Sequence, residues 1–502
     1  MDSIQTSELP VTDNKWRWTV LITVIFGTFL GRLDQTVVNL ALPKIISNFS
    51  ISVSDAAWIA TAYILANAVF VPVWGKLGDI AGRKKVYLIG FIGFIISSGL
   101  CAIAWDLPSL MIFRIIQGFS VSADYPTAMA IIAVTFTDMK ERAQALGIWS
   151  SAFAVASVFG PLIGGPLIDN FSWRSVFLIN IPLGCIGLFL AFKYIHESVG
   201  KKREAYFDWW GSITLAVSLF ALVLVLDRGQ SWGWTSVESI ISYIVTGVFM
   251  TLFIIIERNQ TEPIVDLNFF KIDVFVSTIA NNFIVFMAMI GSVFLVPIFA
   301  QTFLGYNATQ TGYLFIPMAA AMMIAAPLGG RLVGRVQPRY VIFASTLVAA
   351  FGIYLFSFLD ARSTAIQVMI PLSIMAFGLG FGMAQRTNVI TNVVKKEEIG
   401  EASAVLALAR NIAGAFGVAI FSTILVNSTK DAILRVSQNS SLNVLDPHTT
   451  KEFIGLIILK ADIVSYATVY HVAASIIFVG AFFALLIRVP KEVPSENIVL
   501  LD

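Results

Sequence analysis

Residues 26–43 read FGTFLGRLDQTVVNLALP and end an apolar run that begins near Trp18. The run is about 25 residues long, which is enough for an α-helix to cross a bilayer with some tilt. A charge at that depth, such as Asp34, costs at least ~2.5–3.5 kcal/mol unless it faces a protein-lined cavity. We therefore expect Asp34 to be a functional residue of a membrane helix. The alternative is an aspartate at a helix end that reaches the outer surface.

Composition indicates the same class of protein. Hydrophobic residues make up 57% of the 502 residues and charged residues 13%, against ~25% charged in soluble domains. The net charge of +2 gives no reason to expect a nucleic-acid partner. Cys101 and Cys185 lie in apolar runs, so neither a disulfide framework nor a metal site is expected. The first residues are polar and lack a signal-peptide cleavage pattern, so we expect the first span to be retained.

The apolar runs predict an all-α integral membrane protein. They are too long and too continuous for the alternating strands of a barrel. Fourteen runs reach spanning length, at residues 18–42, 55–76, 86–104, 108–135, 144–168, 175–195, 208–227, 237–257, 274–302, 310–334, 339–359, 366–390, 400–425 and 465–488.

Basic residues in the connections predict the orientation. Of 33 lysines and arginines, 21 fall on the side of the N-terminus and 8 on the opposite side. Cytoplasmic loops carry the excess of basic residues, and an even number of spans returns the chain to its starting side. We expect a multi-pass protein of the cytoplasmic (inner) membrane with both termini cytoplasmic.

Two acidic residues stand out because of their depth. Only Asp34 and Asp124 of the 31 carboxylates lie well inside a span, and proton binding within a membrane needs such groups. Arg114 lies at a depth similar to that of Asp34, so the two are expected to pair; the alternative is an arginine that reaches outward. Asp124 lies ~15 Å deeper, just before Pro126. We assign proton coupling to Asp34, Arg114 and Asp124.

The surroundings of Asp124 suggest a place for substrate. Tyr125 offers an aromatic face beside the carboxylate, and a cation can bind to both. We assign the substrate cavity to Asp124, Tyr125, Arg32 and Asn39. The alternative is that Asp124 is a structural partner of Arg32 or of a hydroxyl.

The connection after span two reads GKLGDIAGRKK at residues 75–85. Its glycines permit a tight turn; taken alone, it is also compatible with an ordinary basic cytoplasmic loop. Its spacing resembles the loop signature of the major facilitator superfamily, departing at Ile80. This resemblance implies a cytoplasmic gate formed by Gly75, Asp79, Gly82 and Arg83. A weaker copy at residues 330–339 suggests two related halves.

Span five carries a second signature. Gly160 and Gly164 allow close helix contact, and Pro161 bends the helix. Together with Gly165 they resemble the Gly-Pro-x-x-Gly-Gly motif of proton-coupled antiporters. Residues 33–43 (LDQTVVNLALP) and 173–182 (WRSVFLINIP) resemble motifs of the fourteen-span drug/proton antiporters of the EmrB/QacA type.

The resemblance implies a domain organisation. Two six-helix bundles enclose a cavity, and spans seven and eight are an inserted pair. The expected boundaries are a cytoplasmic tail at 1–17, a first bundle at 18–197, a linker with spans seven and eight at 198–268, a second bundle at 269–490 with an outer loop at 427–465, and a cytoplasmic tail at 491–502.

The implied function is export of lipophilic or cationic drugs by alternating access. Protons would drive it, without cofactor, metal or enzymatic step. The expected partners are a small-molecule substrate, protons and membrane lipid, and a periplasmic adaptor protein is left open. Two alternatives remain: proton-coupled import or export of a specific small metabolite, and a non-transporting membrane receptor or scaffold.

Overall fold

The computed structural model describes residues 14–136, 139–198, 208–260, 263, 265–394, 399–439 and 447–488. Every regular element in these ranges is helical. The α-helices are α1 Asn14–Phe49, α2 Val53–Ala81, α3 Arg83–Ala102, α4 Leu107–Val121, α5 Asp124–Thr135, α6 Met139–Asn170, α7 Ser175–Leu178, α8 Asn180–Tyr194, α9 Trp209–Trp232, α10 Val237–Asn259, α11 Asp273–Phe303, α12 Ala308–Tyr313, α13 Ile316–Gly330, α14 Pro338–Leu355, α15 Ala365–Asn392, α16 Ile399–Asn439 and α17 Pro447–Leu485, and 3₁₀ turns cover Leu267–Lys271 and Phe356–Phe358.

Twelve helices in the described ranges are long and apolar enough to cross a membrane. The predicted count of fourteen is not confirmed by this number and stays a prediction. Predicted span four is divided into α4 and α5, each too short to qualify alone. The division lies where Pro126 cannot donate a hydrogen bond to the carbonyl one turn earlier.

Two segments that were predicted as connections are partly helical. Residues 427–465 were expected to form an outer loop, but α16 continues to Asn439 and α17 begins at Pro447. Apolarity ends before Lys430, whereas helical hydrogen bonding does not require apolar side chains, so hydropathy marked the end of the span and not the end of the helix. Likewise, helix α2 runs to Ala81, which leaves Gly82 as the turn of the predicted gate.

The predicted tails lie mostly outside the described residues. Helix α1 begins at Asn14, inside the predicted N-terminal tail 1–17. The C-terminal tail 491–502 and residues 199–207 of the predicted linker also lie outside the described ranges.

The chain divides into two compact units. The first comprises residues 1–220 and 300–313, and the second comprises residues 221–299 and 314–502. In the first unit α1 packs on α6 and α8, and α4 packs on α2 and α3. In the second, α15 packs on α13 and α14, and α17 packs on α14 and α16. Small residues bring helices together there: a Cβ on Gly291 of α11 would lie 2.6 Å from the carbonyl oxygen of Gly417 on α16.

Candidate functional site

Asp34 lies in the middle of α1 with no exposed surface. Its Oδ2 accepts a hydrogen bond of 2.6 Å from Nη1 of Arg114. Its Oδ1 accepts bonds from Nδ2 of Asn180 at 2.7 Å and from Nε2 of Gln117 at 3.1 Å. Three donors from α4 and α8 therefore surround this one carboxylate of α1.

Arg114 is also buried, at 1% exposure. Besides Asp34, its guanidinium donates to Oε1 of Gln117 at 2.6 Å and to the carbonyl oxygen of Ile59 at 3.3 Å. The guanidinium lies 4.0 Å from the ring centre of Tyr63, where the π face attracts a cation. Arg114 therefore keeps neutral partners on α2 and α4 if its bond to Asp34 is lost.

The local sequence explains how these groups meet. Arg114 and Gln117 are three residues apart on α4, so they share one face of the helix. Asp106 caps the start of this helix and precedes predicted span four, which begins at residue 108. The Ser109 hydroxyl and amide hydrogen-bond with Asp106 and hold the pKa of its carboxyl below its usual range. Asn180 is the first residue of α8, which places its amide beside α1.

Sequence reasoning missed two of the donors to Asp34. Asn180 entered the prediction only as part of the motif at residues 173–182, and Gln117 was not selected. Ser98 is a further residue that was not predicted, and its hydroxyl accepts a bond of 2.7 Å from Nε2 of Gln117. A polar residue in an otherwise apolar span was the available signal, since such a residue needs a partner.

Asp124 belongs to a second polar cluster on the same unit. Its Oδ2 accepts a bond of 2.8 Å from the Thr28 hydroxyl, which in turn accepts one of 2.9 Å from the indole of Trp149. The rings of Trp149 and Tyr125 are 5.3 Å apart between centres. The structure thus brings Asp124 and Tyr125 together with two side chains that sequence reasoning did not select, Thr28 and Trp149.

The other two predicted cavity residues lie on α1. Arg32 is near enough for its charge to interact with Asp124, and it donates to Oε1 of Gln35 at 3.3 Å. Asn39 is partly buried, seven residues further along the helix. Among the described contacts, none joins Asn39 to Asp124.

The predicted gate turn is held by a residue that was not predicted. Gly82 has φ +104°, a conformation that favours glycine. The carboxylate of Glu197, just after α8, accepts bonds from the backbone amides of Lys84 at 3.0 Å and Lys85 at 3.1 Å. An anion at the start of α3 also interacts favourably with the helix dipole. The side chain of Asp79 lies outside the described residues.

Arg83 of the gate contacts the middle of α5. Its Nη1 donates to the carbonyl oxygen of Ala130 at 3.3 Å, and its backbone amide donates to the carbonyl oxygen of Ser198 at 3.2 Å. Gly75 is partly buried on α2, where an added Cβ would meet Pro126 at 3.3 Å. Gly75 and Arg83 thus lie against α5, and Arg83 also contacts the segment just after α8.

Gly160 and Gly164 of α6 face α1. A Cβ on Gly160 would overlap the side chain of Thr36, and one on Gly164 would lie 2.6 Å from Val37. Pro161 lies between them inside the helix. The predicted close approach of helices is therefore present, and its partner is the helix that carries Asp34.

Gly165 faces a different part of the unit, the start of α12. A Cβ there would lie 2.5 Å from the Cα of Thr309. Asp169, one turn along α6, accepts bonds from the amides of Ala308 at 3.1 Å and Thr309 at 2.9 Å. Asp169 was not predicted, since an aspartate near a helix end is common.

The described elements are helical, and twelve of these helices are long and apolar enough to cross a membrane, as in a multi-pass membrane protein. Asp34, Arg114, Gln117 and Asn180 form a buried polar network within it. The family description that matches the chain is "Major Facilitator Superfamily", over residues 24–418. The chain belongs to this superfamily, and its role is transport and not enzymatic catalysis.

Relatives with curated names are similar over most of the chain. "Multidrug resistance protein Stp" of Mycobacterium tuberculosis is 33% identical over 82% of this chain and 76% of that protein. "Multidrug resistance protein 3" of Bacillus subtilis is 32% identical over 81% of this chain and 79% of that protein.

A solved structure shares the fold. A bacterial homologue of the human lysosomal transporter Spinster, in an inward-facing and unoccupied conformation, has a TM-score of 0.66 and covers 95% of this chain and 100% of its own. Its sequence is 17% identical, so this likeness concerns the fold alone.

Proposed function

We propose that this chain exports lipophilic or cationic drugs or other toxic compounds across the cytoplasmic membrane in exchange for protons. The relatives named for multidrug resistance support the substrate class. The observation that carries the proton coupling is the fully buried carboxylate of Asp34, held by Arg114, Gln117 and Asn180. Protons and substrate are the small partners, membrane lipid surrounds the chain, and no cofactor takes part.

The coupling step is a change of charge at Asp34. Ionised, the carboxylate holds α1 to Arg114 of α4 and to Asn180 of α8. When a proton binds, the Coulomb attraction to Arg114 is lost, and Gln117 and the Ile59 carbonyl retain the guanidinium. Each charge-assisted bond contributes ~1.5–3 kcal/mol, so protonation loosens α1 from α4 and α8 by an amount that is large enough to bias a conformational equilibrium.

The conformational change is alternating access. Protonation of Asp34 favours one opening of the transporter, and the gate formed by Gly75, Asp79, Gly82 and Arg83 limits the rate of change between openings. Each charge that crosses gains roughly 2.3 kcal/mol per 100 mV of membrane potential, so one or two protons are a sufficient driving force. Both termini lie on the cytoplasmic side in this proposal.

The test is counterflow in proteoliposomes. Purified protein is reconstituted into liposomes that contain a pH-sensitive dye. A proton gradient is then imposed in the presence of a fluorescent lipophilic cation. Proton-coupled export predicts cation movement against the direction of proton flow, lost when an ionophore collapses the gradient. Movement of both in the same direction would mean an importer. A receptor or scaffold would move neither.

A metabolite exporter would give the same direction with a different substrate. Thermal stabilisation of the purified protein across a compound panel separates these cases: several unrelated lipophilic cations should each raise the midpoint of unfolding, because bound ligands stabilise the folded state. Stabilisation by one polar metabolite alone would replace the drug assignment. Cells with and without an added adaptor protein then show whether export requires that partner.

A further inference from the structure

A small cavity lies inside the first unit, between α1, α3 and the junction of α4 and α5. Its volume is about 20 Å³, measured as the space open to the centre of a water molecule. Its walls include Gly27, Gly31, Tyr87, Gly90, Ser120 and Asp124. A cavity needs ~10–15 Å³ on this measure to hold one water, so there is room for one water and for no drug-sized ligand.

Two buried polar atoms at this cavity have no protein partner. They are Oδ1 of Asp124 and the hydroxyl oxygen of Tyr87. The other carboxylate oxygen of Asp124, Oδ2, accepts a hydrogen bond from Thr28. This bond fixes the side chain in an orientation in which Oδ1 has no hydrogen-bond donor among the described residues. Tyr87 is 1% exposed. A buried polar group without a partner is unfavourable, and a charged one is more unfavourable still.

Glycine makes the space for these groups. A Cβ on Gly27 would overlap the hydroxyl of Tyr87, and one on Gly90 would lie 2.6 Å from Ala123. The cavity is therefore shaped by missing side chains around two groups that both need a hydrogen-bond partner. A water needs two to four polar partners in such a site, and the two side chains that carry these atoms both line the cavity.

We propose that this cavity holds a single water that bridges the Tyr87 hydroxyl to Asp124 Oδ1 and passes protons to and from that carboxylate. In the forward step a hydronium O–H bond breaks, an O–H bond forms at Oδ1, and neutral water remains in place. In the reverse step the same water accepts the proton. The proton comes from the aqueous phase. The inference rests on the proposed proton-coupled transport and gives Asp124 a proton route separate from the network of Asp34.

The charged and titratable groups around Asp124 come from three further helices. Arg32 lies on α1, Tyr63 on α2 and Tyr87 on α3, each near enough for its charge to interact with that of Asp124. Tyr125 is its neighbour in the chain. The positive charge of Arg32 favours the ionised form of the Asp124 carboxylate. In the described part of the chain, no protein group donates a hydrogen bond to Oδ1 of Asp124, and the proposed water supplies that hydrogen.

The test is infrared difference spectroscopy of the full-length protein in lipid nanodiscs, stepped between acidic and alkaline pH without substrate or gradient. A bound water gives an O–H stretching band that shifts when H₂¹⁸O replaces water. We expect such a band in the wild type and its loss in Asp124→Asn and in Tyr87→Phe. Tyr243→Phe, on the exposed face of α10, is the matched control and should retain it.

The outcomes separate the inference from the proposed function. Absence of an ¹⁸O-sensitive band in folded wild type, or its persistence in Tyr87→Phe, overturns the water site even if antiport is intact. A band that changes when sodium chloride replaces choline chloride at constant pH means that Na⁺ occupies the cavity, which also overturns it. In liposomes, Tyr87→Phe should lower the rate of proton uptake about tenfold, equivalent to ~1.4 kcal/mol, with unchanged substrate affinity. An unchanged rate contradicts the relay.

Discussion

At the scale of single residues, depth in the membrane was the informative quantity. It selected Asp34 and Arg114 independently on two helices, and the structure pairs them at 2.6 Å. Depth could not select Gln117 or Asn180, because a neutral amide costs much less to bury than a charge and therefore stands out less in an apolar run. The full coordination of Asp34 depends on how α4 and α8 pack against α1, which the sequence of α1 alone does not contain.

The first prediction is that Asp34→Asn abolishes proton-driven export. The amide cannot carry the exchangeable charge, and it leaves the Arg114 guanidinium without its counter-charge, a loss of ~3–5 kcal/mol for a buried pair. We expect lower thermal stability together with complete loss of coupled transport, measured in proteoliposomes with an imposed proton gradient.

A double variant separates coupling from folding. Asp34→Asn with Arg114→Gln removes both charges, so it should recover much of the lost stability but none of the coupling. Asp106→Asn, at the exposed start of α4, is the control with normal export. Wild-type export by folded Asp34→Asn would remove Asp34 from the mechanism.

The second prediction concerns charge selectivity at Asp124. Asp124→Asn should impair export of divalent cations more than that of matched monovalent cations, because one compensating negative charge is lost beside Tyr125 and Trp149. Whole-cell efflux is measured for the pair and normalised to the amount of protein in the membrane. Equal losses for both, with reduced abundance, would instead make Asp124 a structural residue.

At the scale of helices, the sequence predicted where apolar runs lie better than where helices begin and end. Runs report contact with lipid or core, whereas helix ends depend on caps and on backbone hydrogen bonds. Hence α16 extends past the predicted end of span thirteen, and Pro126 divides span four into α4 and α5. The role of Glu197 was not predicted for a similar reason. Its two partners are backbone amides, and a pattern of side chains in the sequence does not reveal such contacts.

The third prediction is that Glu197→Gln slows the transport cycle. A neutral amide oxygen can replace only part of the carboxylate that binds the amides of Lys84 and Lys85, and an anion at a helix start contributes ~0.3–1 kcal/mol. We expect turnover to fall two- to fivefold, on the order of that energy, with unchanged drug affinity. Glu238→Gln, at the exposed start of α10, is the control. Weakened affinity at normal turnover would contradict a role in gating.

The fourth prediction is that Gly160→Leu blocks one of the two openings. A Cβ at this position already overlaps Thr36 of α1, so the larger side chain must force α6 and α1 apart. Accessibility of single cysteines from each side should then report one conformation only. Gly247→Leu on α10 is the matched control, because a Cβ there meets nothing within 4 Å. Both openings populated as in wild type would show that this contact does not change during transport.

At the scale of the whole molecule, the fold class followed from composition and from the apolar runs, and the family match supports it across residues 24–418. The number of crossings did not follow from the same two features. A broken span and long helical extensions both change how a chain is counted, because a fixed length and a mean hydropathy describe only straight, uninterrupted helices. The number of membrane crossings depends on the inserted pair, α9 and α10. If these two helices do not cross the membrane, the predicted number falls from fourteen to twelve.

The last prediction is the sidedness of the loops around that pair. With fourteen crossings and both termini cytoplasmic, Trp234 between α9 and α10 and Arg362 after α14 face outward, while Asn259 and Gln337 face the cytoplasm. Single cysteines are placed at these four exposed positions in a background where Cys101 and Cys185 are alanine. A membrane-impermeant thiol reagent should label the first two in intact cells and the last two only after permeabilisation. If the cysteine at 234 is labelled only after permeabilisation while that at 362 is labelled in intact cells, α9 and α10 do not cross, and twelve spans replace fourteen.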